Sequence, residues 1–555
     1  MNPSRCVNLL LIVWLCCFAG GVATAQSPAK QYKWWLELRD KPAESPWSVQ
    51  RPQEFLSARS IARRQRNHIP TTEEDLPVYP PYLQALRQQG FAIHGASRWL
   101  NGVAIIADSS TAQRAGALPF VKSVTNIGRD IRIKNPPNRP EKKRNPFPLP
   151  EQVSDRFGPM GYGVVNAAAI NVPFLNQIQA KGRGIWVAVM DGGFTNVDTM
   201  PFFDSLAVNG RLWPGPDFVE HDRAVYESAQ HGTAVLSVMG ANLPGYFVGT
   251  APDATYFLLK TEDTGGEYPV EEINWILGAE WADSIGVDII NASLGYTTFS
   301  EPAYNRPYSA LNGKTALGSK GAAIAAQKGM IICNSAGNSG DEPWHFIGVP
   351  ADAPGIIAVG AIDAQTEQHA SFSSYGPTAD GRIKPDLMAP GQTVVTAGNV
   401  GDQLTMSAGT SIASPILTGA IAALWSDFPD HTAAEITDAL YRSADRYTSP
   451  DTMMGYGTPN VARAWLHLQH ATIPFSAGYY GYNSDTDVLT CVIPGREEEA
   501  ESIFFIKNIF GQTVAEGRAI VKGDGFKVLK INNLEKLPSG FYQIILPFGL
   551  LRFGK

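Results

Sequence analysis

The chain is poor in cysteine, and most of its cysteines lie where a folded domain would not use them. Five cysteines occur in 555 residues, and Cys6, Cys16 and Cys17 fall within the first 25. Cys333 and Cys491 remain, far apart in the sequence. A disulfide scaffold needs several cysteines in the mature domain, so this class of protein is excluded. A single bridge between the last two is left open.

Strong charge and long apolar runs are also missing. The formal net charge is −7, which argues against a nucleic-acid partner. The most apolar run, residues 7–21, is shorter than the roughly 20 residues that span a bilayer. Arg5 precedes this run and Ala23-Thr24-Ala25 follows it, so the pattern predicts a secretory signal peptide over residues 1–25. No transmembrane segment is predicted in the mature chain.

The composition that remains is ordinary for a globular protein, with 44% hydrophobic and 17% charged residues. Residues 26–130 show the element order β-α-β-β-α-β, which is that of a ferredoxin-like α+β domain. Within it, Asn101-Gly102 predicts a two-residue hairpin turn. A basic, helix-like stretch, residues 55–66, lies between the first strand and the first helix of this pattern and has no evident chemistry.

A proline-rich stretch separates this block from the next. Six prolines occur in residues 131–150, which predicts an extended linker over residues 131–159. Lys142-Lys143-Arg144 within it fits either a processing site or a solvated run of charge.

Residues 160–470 alternate between short apolar stretches and helix-like stretches, which predicts an α/β domain with a parallel sheet covered by helices on both faces. The predicted strands are 185–190, 255–260, 287–292, 330–334 and 356–362, and the predicted helices are 233–239, 270–285, 314–328 and 411–428. In such a sheet, functional groups collect at the carboxyl ends of the strands. Short alternating runs with turns then predict a small all-β sandwich over residues 471–555.

The stretch from Ser407 to Pro415 predicts a serine mounted on a helix. Gly409 permits a tight turn, and from Ser411 onward apolar residues recur at helical spacing. Ser411 would lie in the first helical turn, where free N–H groups and the positive end of the helix dipole favour an anion. Such a serine could attack a carbonyl carbon while its own N–H holds the resulting oxyanion. A plain serine-capped core helix is the alternative.

Three further polar residues stand at strand ends or helix starts. Asp191 follows a predicted strand, His231 opens a predicted helix, and Asn338 follows the strand ending near residue 334. An imidazole placed so can face a nucleophile with one nitrogen and a carboxylate with the other. Taken one at a time, a turn aspartate, a structural histidine and a turn asparagine are the simpler interpretations.

Together these residues and their neighbours resemble the subtilisin-like serine peptidase family. The order Asp, His, Ser matches that of subtilisin. The segments that carry the resemblance, all within residues 160–470, are Val187–Gly193, His231–Thr233, Gly249–Asp253, Ile290–Gly295, Ser335–Asn338, Ile383–Gly391 and Gly409–Pro415. Two departures are visible: Gly192 stands where Thr or Ser is usual, and Ala234 where a second His is frequent.

The resemblance implies a catalytic apparatus in this chain. Ser411 would be the nucleophile, His231 the general base and Asp191 the residue that orients the imidazole, while Asn338 would donate to the oxyanion. Substrate would be held by two segments, Ser293-Leu294-Gly295 and Ser335-Ala336-Gly337. Both segments lack an acidic residue, which favours an apolar side chain before the cleaved bond. The resemblance implies no cofactor for the chemistry and leaves room for structural calcium.

The flanking blocks carry weaker resemblances. In position and topology the first block resembles the inhibitory propeptides of the same family, and a retained accessory domain is the alternative. The last block resembles the C-terminal sorting domain of the type IX secretion system of Gram-negative bacteria, through residues 504–514 and 534–542. The expected product is a secreted or cell-surface serine endopeptidase. Its expected partners are peptide substrates, its own prodomain and the secretion machinery. An esterase and a non-catalytic binding protein are the alternatives.

Overall fold

The computed structural model describes residues 30–129, 158–398 and 401–472, and beyond residue 478 seven strands. The predicted signal peptide and nearly all of the predicted linker lie outside the described residues. Among the described helices, none is long and apolar enough to cross a membrane.

The first block folds as the predicted ferredoxin-like domain. Its strands are β1 Tyr32–Leu38, β2 Ala92–Ser97, β3 Gly102–Ala107 and β4 Val121–Arg129, and its helices are α1 Ala58–Arg66, α2 Pro80–Gln88 and α3 Ser109–Gly116. The sheet has the order β2-β3-β1-β4, and the described pairs are antiparallel. The hairpin prediction is corrected, because Gly102 pairs with Ser97 inside the ladder and the turn comprises residues 98–101.

The second block is built on a seven-stranded parallel sheet. Its strands are β5 Trp186–Asp191, β6 Leu212–Asp217, β9 Thr255–Lys260, β10 Ile289–Ala292, β11 Ile331–Ser335, β12 Ile357–Asp363 and β13 Leu387–Gln392. The order is β13-β12-β11-β10-β5-β9-β6. Every described pair in this sheet is parallel, as the sequence predicts.

The two strands that the sequence pattern does not predict are the two edges of this sheet. β6 contains Pro214 and Pro216, and β13 contains Pro390. Proline cannot donate to a strand ladder and is therefore tolerated at edges, where one side of the backbone is unpaired. The missed strands are the ones whose composition argues against a strand.

Helices cover both faces of the sheet. They are α4 Gly163–Ala167, α5 Val172–Gln177, α6 Asp204–Val208, α7 His231–Gly240, α8 Val270–Ile285, α9 Leu317–Gln327, α10 Thr410–Ser426, α11 Ala433–Ser443 and α12 Val461–Thr472. Small antiparallel pairs are formed by β7 Asn242–Leu243 with β8 Phe247–Val248, and by β14 Val394–Ala397 with β15 Leu404–Ser407. α10 is the most deeply buried: nearly all of its side chains through Trp425 lie in the core.

In the last block, the residues that the structure describes beyond 478 all lie in strands, in agreement with the predicted all-β domain. Its strands are β16 Tyr479–Asn483, β17 Val488–Pro494, β18 Glu501–Asn508, β19 Thr513–Ile520, β20 Phe526–Ile531, β21 Phe541–Leu546 and β22 Gly549–Gly554. They form antiparallel sheets of three and four strands, with the orders β16-β17-β20 and β19-β18-β21-β22.

Candidate active site

Asp191 and His231 meet at the carboxyl-end edge of the sheet. Asp191 is the last residue of β5, a central strand, and is only 2% exposed. Its Oδ2 lies 2.8 Å from Nδ1 of His231, and its Oδ1 accepts a hydrogen bond from the Gly192 N–H at 2.8 Å. Because an ionised carboxylate only accepts, the shared hydrogen belongs to Nδ1 of the imidazole. Nε2 of His231 is then the nitrogen that can take up a proton.

The environment of His231 tunes its basicity. The residue begins α7, and its side chain remains 44% exposed. The negative charge of Asp191 raises the pKa of His231 above its ordinary value of 6.5, and partial burial opposes this shift. The imidazole is therefore an exposed base of increased strength, held in one orientation by a buried acid.

Ser411 lies in the first turn of α10, as the sequence predicts. Gly409, with φ +148°, makes the turn that leads into the helix. Pro415 has no N–H to bond with the Ser411 carbonyl four residues earlier, so that carbonyl is left for another donor. The Ser293 hydroxyl fills this role at 2.7 Å. Because Pro415 leaves this carbonyl without a helical partner, Ser293 of a predicted substrate segment can bond to the backbone of the predicted nucleophile.

Asn338 is turned toward the same space as Ser411. Its Oδ1 accepts hydrogen bonds from the N–H and the hydroxyl of Thr410, at 2.9 and 3.0 Å. With Oδ1 so occupied, Nδ2 is the end of the amide that faces Ser411. A methyl group built on Gly409 would lie 2.9 Å from Ser411 Oγ and 3.7 Å from Asn338 Nδ2. The hydroxyl and the amide donor therefore border one small volume, which a side chain at Gly409 would fill.

The two predicted substrate segments lie side by side. The Leu294 carbonyl accepts hydrogen bonds from Asn334 Nδ2 at 2.9 Å and from Ser335 Oγ at 3.3 Å. Gly295 is exposed, whereas Ser335 and Ala336 are buried. Gly337 donates its N–H to the Thr410 hydroxyl at 3.1 Å, which joins this segment to the start of α10. Hydrogen bonds thus hold both segments beside the start of α10.

One contact of the predicted constellation is not formed. Within the described part of the chain, no hydrogen bond joins the Ser411 hydroxyl to the His231 imidazole. Such bonds are often long in the absence of substrate and tighten in the reacting complex.

Sequence reasoning missed two residues that position this site. Thr410 fixes the amide of Asn338, and Asn291, fully buried in β10, donates from Nδ2 to Ser293 Oγ at 3.2 Å. Asn291 Oδ1 accepts hydrogen bonds from the Ser414 and Thr418 hydroxyls, both at 3.0 Å. Polar residues on an otherwise apolar strand and helix are a signal for such a network, but Asn338 lies 72 residues from Thr410, and Ser414 and Thr418 lie 123 and 127 residues from Asn291.

Acidic groups lie beside the site and are candidates for a bound cation. Glu262, Glu267 and Glu271 each place a carboxylate oxygen within 4.8 Å of the others, and Glu262 accepts from the Tyr296 hydroxyl at 2.7 Å. Burial raises the pKa of Glu262 to about 8, of Glu267 to about 7 and of Glu271 to about 10. A second group, Asp217, Glu220 and Asp222, already pairs with Lys260 through its first two members.

Comparisons with known proteins match two parts of the chain. The model of the subtilase family matches residues 182–457, and the model of the peptidase S8 propeptide domain of Bacteroidota matches residues 33–144. The first range contains the site described above, and the second contains the ferredoxin-like domain.

Individual proteins are similar to parts of this chain. A thermostable alkaline protease of Halalkalibacterium halodurans is 30% identical over 302 residues, which are 53% of this chain and 72% of the relative. Subtilisin of Bacillus pumilus is 32% identical over 310 residues, 55% of this chain and 98% of the relative. The solved MycP3 protease of the type VII (ESX-3) secretion system aligns with 54% of this chain and 87% of its own, at 24% identity and a TM-score of 0.43. The chain belongs to the subtilase family of serine endopeptidases and carries the family's amino-terminal propeptide domain.

Proposed function

We propose that the protein hydrolyses peptide bonds through an acyl-enzyme on Ser411, with His231 as general base and acid and Asp191 as the residue that orients the imidazole. The observation that carries this proposal is the 2.8 Å bond between Asp191 Oδ2 and His231 Nδ1. It stands at the edge of the sheet where Ser411 begins its helix. The bond leaves Nε2 of His231 as the acceptor for the serine proton.

The reaction follows from this geometry. His231 Nε2 takes the proton as Ser411 Oγ attacks the scissile carbonyl carbon, and the carbonyl oxygen becomes negative. In this proposal, Asn338 Nδ2 and the Ser411 N–H donate to that oxygen. Collapse of the intermediate breaks the C–N bond, and His231 gives its proton to the leaving amine. A water molecule, deprotonated by the same imidazole, then hydrolyses the ester on Ser411 and restores the enzyme.

We assign substrate binding to Ser293-Leu294-Gly295 and Ser335-Ala336-Gly337. The shared hydrogen bonds at the Leu294 carbonyl support this assignment, because they hold both segments at the start of α10. Exposed Gly295 leaves room for a substrate backbone, since the nearest atom to a methyl group built there is the Val349 carbonyl oxygen at 3.9 Å. No charged side chain stands in either segment, so an apolar residue before the cleaved bond remains the expected preference.

We further propose the division into a signal peptide at 1–25, a prodomain at 26–130, a linker at 131–159, a peptidase domain at 160–470 and a β domain at 471–555. The two family models support a prodomain followed by a peptidase domain, although they match residues 33–144 and 182–457 rather than the proposed ranges. Export through the signal peptide, and sorting through the β domain by type IX secretion to the medium or cell surface, complete the proposal. The Bacteroidota propeptide is consistent with an exported precursor. N-terminal sequencing of the secreted product tests these boundaries.

The proposed chemistry needs no cofactor. For structural calcium, the residues that fit better are Glu262, Glu267 and Glu271, since their carboxylates form no ion pair with any described lysine or arginine. Calcium takes six to eight oxygen ligands, of which these side chains supply a part. A rise in thermal midpoint with added calcium, lost in Glu271→Gln, would assign the ion to this group.

The deciding experiment uses Ser411→Ala in the full chain. Cleavage of a protein substrate and labelling by a fluorophosphonate probe should both disappear, while the circular dichroism spectrum stays unchanged. Ser407→Ala, a change of the same kind four residues earlier, is the matched control and should retain both. Retained cleavage in Ser411→Ala would remove this serine from the mechanism.

A further inference from the structure

The basic stretch that had no evident chemistry in the sequence forms α1, a helix added to the ferredoxin-like pattern. It carries Arg59, Arg63, Arg64 and Arg66. A surface helix would present such arginines to solvent, but of these four only Arg59 and Arg66 keep part of their side chains exposed. Arg63 and Arg64 are almost completely buried, and all four reach residues of the peptidase domain. The helix is therefore a docking element of the propeptide domain.

The first part of this contact lies at the carboxyl end of α8. The last carbonyls of a helix have no partner within the helix. Here the Ser57 N–H donates to the Ser284 carbonyl at 2.8 Å, and the Ser57 hydroxyl donates to the Ile285 carbonyl at 2.9 Å. Arg59 Nε donates to the Gly286 carbonyl at 3.0 Å, and Arg63 donates to the Val287 carbonyl. The propeptide domain thus caps a helix of the peptidase domain, with cations at its negative end.

The second part is a buried group of charges around Asp283, which is fully buried. Its carboxylate accepts from Arg63, from Arg64 at 2.7 Å and from Arg98 at 2.6 Å. All three guanidinium groups belong to the propeptide domain. Asp75 holds Arg64 through two further bonds of 3.0 Å, and Glu280 accepts the Arg98 N–H at 3.0 Å. Every hydrogen bond of the Asp283 side chain among the described residues is to this domain.

The third part is a rim of half-exposed contacts. Arg59 and Arg66 both pair with Asp288, and their guanidinium groups lie over the rings of Trp186 and Trp425 at 4.4 and 5.2 Å. Cation–π contacts of this kind add to the ion pairs. The peptidase surface thus presents carboxylates, backbone carbonyls and aromatic faces, all of which can bind a guanidinium group.

This surface is separate from the active site. Trp186 opens β5 and Asp191 ends it, so the length of one strand, roughly 15–20 Å, separates the contact of Arg59 from that of His231. Asp288 likewise directly precedes β10. The propeptide domain also contacts the segment before α8 and the loop after β10. There Gly128 lies against Tyr268, and Asn126 accepts a hydrogen bond from the Tyr304 hydroxyl at 2.9 Å.

We propose that Asp283, Asp288 and the carbonyl groups of residues 284–287 form a guanidinium-binding docking site. Its occupant is the arginine helix of the propeptide domain, residues 57–67. The site keeps that domain on the enzyme after the connecting chain is cut, and loss of its contacts controls the domain's release. The inference rests on the proposed function only in that the connecting chain is cut.

The test uses the full chain carrying Ser411→Ala, nicked briefly with trypsin, which acts at lysines and arginines such as those of residues 142–144. Mass spectrometry identifies the nick, and size exclusion with time measures how fast the propeptide fragment leaves the complex. We expect co-elution in the parent chain and at least a tenfold faster loss, roughly, in Asp283→Asn, since removing one partner of a buried charged group mainly raises the dissociation rate. Asp438→Asn, which alters an exposed ion pair with Arg442, should match the parent.

A second variant covers the case in which Asp283→Asn does not fold. Arg59→Ala combined with Arg66→Ala removes only the half-exposed rim, and Arg51→Ala, whose arginine pairs with Glu54 inside the propeptide domain, is its control. The double variant should release the fragment several-fold faster. Immediate loss of the fragment from the parent chain, or parental rates in either docking variant, would overturn the proposal. Self-cleavage of the Ser411→Ala chain would instead overturn the assignment of the nucleophile and leave these rates interpretable.

Discussion

The central sheet has a carboxyl-end edge, where its strands end, and an amino-end edge, where they begin. These two regions use polar residues in opposite ways. At the carboxyl-end edge, His231 and Asn338 are exposed, and Ser411 borders an open volume. At the amino-end edge, Asp283 and the arginines Arg63 and Arg64 are buried together and bonded to each other. The polar groups at the carboxyl-end edge are accessible to a substrate that binds and leaves. Those at the amino-end edge are already bonded to the propeptide domain of the same chain.

The difference separates polar groups that can take part in a reaction from polar groups that hold two domains together. A buried charge is stable only when it is paired and hydrogen-bonded, and because the described partners of Asp283 all belong to the other domain, this ionic cluster joins the two domains. Oriented donors and bases that remain accessible indicate a reaction. Asp191 combines both properties, since it is buried and yet holds an exposed imidazole.

After the loss of the nucleophile itself, the largest effect should come from changing Asp191. Asp191→Asn keeps the shape of the side chain but lets an amide face Nδ1, which permits the wrong tautomer of His231. We expect kcat for a chromogenic peptide to fall by roughly 10⁴-fold with little change in KM. Asp427→Asn, at an exposed helix end, is the matched control and should behave as the parent. A loss below tenfold would show that His231 is oriented by other groups.

At the opposite edge, Arg64→Ala should affect stability rather than chemistry. It leaves Asp75 and Asp283 with fewer partners in a buried setting, at a cost of about 3 kcal/mol. Burial opposes ionisation of Asp75, but the bonds and charge of Arg64 outweigh it and hold the pKa of Asp75 at about 2. The thermal midpoint of the Ser411→Ala chain should drop by several degrees, whereas Arg442→Ala, from an exposed pair, should shift it far less. Equal shifts would contradict the contrast between the edges.

Asn338→Ala removes a donor from the proposed oxyanion site. Removal of one such donor in subtilisin lowers kcat by roughly 10²–10³-fold, and we expect a loss of this size here with KM nearly unchanged. Asn312→Ala, in an exposed turn, serves as the control. A rise in KM with constant kcat would instead place Asn338 in ground-state binding.

The pH dependence follows from the raised pKa of His231. The base must be neutral, so kcat/KM should fall tenfold per pH unit below this pKa, and the half-maximal pH should lie above 6.5. The residual activity of Asp191→Asn should show a lower half-maximal pH, because the charge that raises the pKa is gone. An unchanged midpoint in that variant would assign the titration to another group.

Thr410→Val should give the smallest effect. The valine keeps the volume of this buried residue but removes the hydroxyl that bonds Asn338 Oδ1 and the Gly337 N–H. Two hydrogen bonds are lost, but only one of them acts on the Asn338 amide, which the Thr410 N–H still holds, so we expect kcat to fall roughly fivefold. Thr418→Val, on the same helix, contacts Asn291 instead and tests whether any lost hydroxyl of α10 has the same result.

Sequence patterns predicted the helices and strands in which neighbouring residues all favour the same type of element. The strand β9 and the helix α8 were predicted to the residue, because an apolar run and a long helix-like stretch need no distant information. Edge strands β6 and β13 were missed because prolines interrupt them. The helix α11 could have been found, since Thr432 and Glu435 form a capping box that is visible in the sequence.

The sequence by itself determined the fold class, the order of the domains and the four polar residues that stand at strand ends and helix starts, because these depend on local periodicity and on motifs of a few residues. Only the tertiary structure decided that Thr410 turns the amide of Asn338 and that Ser293 takes the carbonyl that Pro415 leaves free. It also decided that the arginines of α1 meet Asp283, 220 residues away in the case of Arg63. A hydrogen bond or an ion pair is specified by distance and direction in space, and local sequence carries no record of which distant group will supply the partner.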